Sequence, residues 1–78
     1  MTERVRELQK KEVINLSNGK RLGFVYDVEI NLQTGMLESL VVPCRSSIFR
    51  FFFKYDELII DFNRIRKIGD DIILVDLE

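Results

Sequence analysis

The chain contains no histidine. That removes the usual neutral-pH general base and with it the Ser-His-Asp and Cys-His routes to an activated nucleophile. It also removes the commonest transition-metal ligand, and Cys44, the only cysteine, cannot build a structural zinc site by itself. Cys44 precedes Arg45, whose charge would lower a thiol pKa, but no base accompanies it, and an ordinary thiol at a strand end is the simpler reading. Asp56, Glu57 and Asp61 form one acidic group and Asp70 with Asp71 another. Neither has the oxygen spacing of an EF-hand loop, and aspartates in turns commonly bond their own backbone. The four glycines make neither GxGxxG nor a P-loop. The residues therefore give no catalytic, cofactor-binding or metal-ligating site, and the chain is expected not to be an enzyme.

One segment stands out as a binding surface. In residues 48–55, read as extended chain, Phe49, Phe51, Phe53 and Tyr55 share one face while Ile48, Arg50, Phe52 and Lys54 share the other. The aromatic face suits burial in a core or an interface. The second face mixes cations with bulky apolar groups and suits a partner. Arg45, Phe49, Arg50, Phe52 and Lys54 are the expected contact residues, with Phe49 and Phe52 as apolar anchors and Arg50 and Lys54 orienting an acidic partner. The chain also has more large apolar side chains than one small interior readily holds, which points to a homodimer or another protein contact. Aromatics among cations can stack on single-stranded RNA, or rest on an anionic membrane surface. The overall charge of −1 opposes the first, and the shortness of the patch opposes the second.

The frame that would position this segment is small. Seventy-eight residues suffice for one domain over residues 1–78, with a lead-in at 1–10 and a barrel at 11–78. The start, Met1-Thr2-Glu3-Arg4-Val5-Arg6-Glu7, does not resemble a signal peptide. No apolar run reaches the length of a membrane span, and a lone cysteine allows no intrachain disulfide. A cytoplasmic protein without membrane insertion is expected. The pocket a small ligand needs, of about 300 Å³, is hard to fit into such a chain.

Val5 and Leu8 suggest a short helical turn. From Glu12 onward the pattern is strand and turn. Val13, Ile14 and Leu16 lead to Ser17-Asn18-Gly19-Lys20, where Asn-Gly predicts a type I′ hairpin turn. In residues 21–30, Leu22, Phe24, Tyr26, Val28 and Ile30 alternate with Arg21, Gly23, Val25, Asp27 and Glu29, which predicts one half-buried strand. Gly23 inside it suggests a bulge or a barrel corner. Gln33-Thr34-Gly35 turns the chain into a strand over 36–43, apolar on both faces near its end and closed or edged by Pro43. Further strands are predicted at 58–62, with Leu58, Ile60 and Phe62 on one face, then at the end of 63–68, and at 72–77 after Gly69-Asp70-Asp71. No internal repeat is evident at this level. Short strands punctuated by turns indicate a small all-β barrel or sandwich.

The runs Glu12-Val13-Ile14-Asn15-Leu16 and Asn18-Gly19-Lys20-Arg21-Leu22-Gly23-Phe24-Val25-Tyr26-Asp27-Val28 resemble the opening hairpin of the PRC-barrel family. Leu40-Val41-Val42-Pro43 is similar to its third strand, and Ile65-Arg66-Lys67-Ile68-Gly69-Asp70-Asp71-Ile72-Ile73-Leu74-Val75 to its closing hairpin. The resemblance is to the short stand-alone members linked to sporulation in spore-forming Firmicutes. It implies a six-stranded, partly open barrel with a short helical lead-in, no known enzymatic activity, and docking onto a larger assembly. A non-catalytic adaptor is the reading that follows. An RNA- or ribosome-associated factor, similar to the PRC-barrel domain of the ribosome-maturation factor RimM, is the alternative. In members of the family the segment that corresponds to the one after Pro43 is often glycine-rich. Here residues 44–54 contain no glycine, which disfavours a flexible loop and allows a continued strand or ribbon.

Overall fold

Alternating apolar residues favour short strands over helices along most of this chain, because successive strand side chains point to opposite faces. The computed structural model describes residues 2–43 and 57–77. Among these residues a single helical turn, α1 (Val5–Leu8), precedes seven strands: β1 (Glu12–Asn15), β2 (Lys20–Phe24), β3 (Asp27–Ile30), β4 (Leu37–Pro43), β5 (Glu57–Asp61), β6 (Ile65–Ile68) and β7 (Ile72–Val75). A 3-10 turn, Phe62–Arg64, joins β5 to β6.

The strands form two sheets, ordered β2-β1-β7-β6 and β3-β4-β5. β1 and β7 run parallel, and every other pair is antiparallel. Two stretches of chain cross between the sheets. One is β2 into β3, the other β5 into β6 through the 3-10 turn. Both sheets wrap one core of Leu8, Val13, Val25, Leu40, Val42, Ile60, Ile73 and Val75. This is the partly open barrel expected, with the one-turn lead-in placing Leu8 in the core. The second strand of the expected six divides in two, which accounts for one additional strand.

That division corrects the sequence reading. The alternation over 21–30 predicts one strand with Phe24 and Tyr26 on the buried side. Instead Val25 is buried, while Phe24 and Tyr26 are exposed. The cause is a corner. Gly23 has φ 108°, a conformation costly for other residues, and the β1–β2 register slips between Val13 and Ile14 beside it. A Cβ at Gly23 would lie 3.6 Å from the Val42 side chain. Tyr26 then donates its N–H to the Val41 carbonyl at 3.0 Å, attaching the chain to the second sheet.

Several smaller differences accompany it. The type I′ turn does not form, since it needs positive φ at both central residues and no described non-glycine residue has one. A four-residue loop, 16–19, forms instead, closed by Gly19 N–H donating to the Asn15 carbonyl at 2.7 Å. Phe62 leaves the β5 face because the chain enters the 3-10 turn there, and β7 ends at Val75. Finally, the chain does hold a short repeat. Ile14-Asn15-Leu16-Ser17-Asn18-Gly19 recurs as Ile30-Asn31-Leu32-Gln33-Thr34-Gly35, and both copies form hairpin loops.

β4 is the central strand of its sheet, and Leu40, Val41 and Val42 are all buried, as its two-faced apolar pattern predicts. Pro43 ends it, opposite Glu57.

Candidate interaction surface

The expected contact residues Arg45, Phe49, Arg50, Phe52 and Lys54 lie outside the described residues, as do Cys44 and Asp56. The described part of the acidic group does not converge. Glu57 and Asp61 occupy opposite ends of β5, with Glu57 opposite Pro43 and Asp61 opposite Ser39. Four steps along the strand separate them by about 13 Å. Asp70 and Asp71 sit in the β6–β7 turn, where the Asp71 carbonyl accepts the Glu12 N–H at 3.0 Å. Among the described residues, no group of three His, Cys, Asp or Glu side chains is arranged to hold a metal ion.

Several described polar side chains hold the parts of the fold together. Ser39 is buried and donates its hydroxyl to Glu29 Oε1 at 2.5 Å across the β3–β4 ladder. That bond occupies the hydroxyl proton, and burial denies it a substrate. Asn15 is buried and its Oδ1 accepts from Ser17 N–H, Ser17 Oγ and Leu77 N–H at 3.2, 2.9 and 3.3 Å. Lys11 is buried and held by Glu3, which ties the lead-in to the barrel. Gln9 adds a bond from Nε2 to the Tyr26 carbonyl at 3.1 Å.

What remains is surface. On the outer face of the four-stranded sheet, the register sets Arg21, Ile14, Leu74 and Lys67 in one row, and Phe24, Glu12 and Ile72 in the next. Inward neighbours Val13, Ile73 and Val75 are fully buried, whereas Ile14, Ile72 and Leu74 are only half-buried. A shallow cleft of about 370 Å³ lies along this face, lined by Lys67, Gly69, Asp70, Asp71, Ile72 and Leu74. Arg21 Nε lies 3.8 Å from Glu12 Oε1 at the other end. The volume exceeds the minimum for a small ligand, but the cleft is open and holds no buried polar group to orient one. The three-stranded sheet has an acidic outer face instead, carrying Asp27, Glu29 and Asp61 around Val41 and Ile59.

A second apolar surface is the β3–β4 hairpin end, where Leu32 is 95% exposed, Met36 68% and Ile30 53%. The alternation over 21–30 places Ile30 on a buried strand face and assigns Leu32 and Met36 no role. The Ile-Asn-Leu-x-x-Gly repeat is the signal that finds Leu32, because it marks the residue after each asparagine as a loop position. No described helix is long and apolar enough to cross a membrane.

Comparison with known proteins gives a consistent result. The PRC-barrel domain model matches residues 1–77. The chain is 42% identical over 73 residues to the Probable sporulation protein YlmC of Bacillus subtilis, covering 94% of this chain and 90% of that protein. It is 32% identical over 76 residues to the uncharacterized protein YmxH of the same organism, covering 95% and 88% respectively. An uncharacterized protein of Clostridium acetobutylicum is 32% identical over 71 residues, covering 91% and 80%.

Proposed function

The chain belongs to the PRC-barrel family, and from that premise we propose that it is a single-domain, non-catalytic protein-interaction module acting in a sporulation-linked process. The observation that carries the sporulation link is the similarity to YlmC, which spans nearly the full length of both chains. The lack of histidine and the burial of Ser39 support a role without catalysis. In this reading the barrel is a rigid frame. The partner contact is made by Phe49 and Phe52, while Arg45, Arg50 and Lys54 meet acidic groups on the partner.

Two measurements test the proposal. Disruption of the gene in a spore-forming host should lower the yield of heat-resistant spores, and an unchanged yield refutes the sporulation link. A capture experiment from nuclease-treated lysate should then compare the wild type with a folded Phe49→Ser, Phe52→Ser variant. A protein retained by the wild type and lost by the variant identifies the partner. Equal recovery by both baits refutes the assigned contact residues. Dependence of recovery on intact RNA would favour the ribosome-associated alternative.

A further inference from the structure

We propose that the β3–β4 hairpin end of one copy seats on the outer face of the four-stranded sheet of a second copy. Three features of the described surface lead to this pairing. The hairpin end leaves Ile30, Leu32 and Met36 largely in water. Large apolar side chains grouped in this way usually mark a contact. The sheet face offers the matching surface, a cleft floored by Ile72 and Leu74 with Ile14 alongside.

Charge selects the occupant. Between Val28 and Val42 the chain has no lysine or arginine, and Glu29 and Glu38 flank the hairpin end. The row across the sheet face ends in cations on both sides, Arg21 and Lys67. Acidic flanks on an apolar knob therefore meet basic ends on an apolar floor, while Asp70 and Asp71 bound the cleft at the turn. The same acidic flanks would be repelled by an anionic lipid surface, which attracts basic segments. With a net charge of −1, two copies repel each other little. The contact joins two different patches, so it is heterologous and builds a ring or an open chain. Its small size places it in the weak, concentration-dependent class.

Sedimentation velocity on the full chain over a wide concentration range tests this. The wild type should grow beyond monomer as concentration rises. Leu32→Ser with Met36→Ser alters only exposed loop positions, so the fold should persist by circular dichroism while the association midpoint moves at least about tenfold higher. Lys67→Glu and Glu38→Lys should each weaken association. An equimolar mixture of those two single variants should restore it, because alternating copies then make the wild-type contact and the doubly reversed one. A wild type that stays monomeric throughout overturns the proposal. So does association that the hairpin variant leaves unchanged, or a mixture that shows no rescue.

Discussion

The two hairpin loops begin from nearly the same residues and end in different surroundings. In each, an asparagine precedes a leucine and a glycine closes the loop with positive φ, 69° at Gly19 and 74° at Gly35. In each, the glycine N–H donates to the asparagine carbonyl at 2.7 Å, and the asparagine Oδ1 accepts the N–H two residues on. Beyond that the loops diverge. Asn15 is buried and also accepts the Leu77 N–H, while Leu16 donates its N–H to the Val75 carbonyl at 2.8 Å. Among the described bonds, the Asn31 side chain accepts only within its own loop, from Gln33 and Thr34 N–H. One loop fastens the C-terminal end of the chain to the barrel. The other projects apolar side chains into water. Local sequence made both turns, and strand neighbours assigned their tasks.

Asn15→Ala should separate the loops most clearly. It removes a buried acceptor and leaves the Leu77 N–H without its partner, so unfolding free energy should fall by about 2 kcal/mol in urea titration. A loss under half that size would mean that the link to Leu77 is unimportant. Gly19→Ala and Gly35→Ala should come next and should match each other. Neither site has an atom within 4 Å of an added Cβ, so only the positive φ penalises alanine, by about 1 kcal/mol. Unequal losses would show that tertiary strain reaches one of the turns. Asn31→Ala should cost less than Asn15→Ala, by about 1 kcal/mol or more, because its bonds are local and exposed. The smallest effect belongs to Leu32→Ser, which should leave stability within about 0.5 kcal/mol of wild type in thermal unfolding. A larger loss would mean that Leu32 is covered within its own chain.

Much of this molecule is legible in its residue types and their spacing. The absence of histidine removes most acid–base and metal chemistry, because no other side chain titrates near neutrality without help. The placement of turns follows from Gly19, Gly35 and Gly69. The two-sided burial of β4 follows from consecutive Leu40, Val41 and Val42, and the corner is signalled by Gly23. These are local properties. Tertiary structure decided the rest. Alternation alone makes residues 21–30 one strand, but each half bonds to a different sheet, and the side chains at the corner reverse their exposure. The parallel pairing of β1 with β7 joins chain ends that no local pattern connects. It fixes which of Ile14, Ile72 and Leu74 share a face with Arg21 and Lys67. Which apolar side chains stay exposed was decided at the same level, because exposure depends on neighbours distant in sequence, whereas turns depend on the residues that form them.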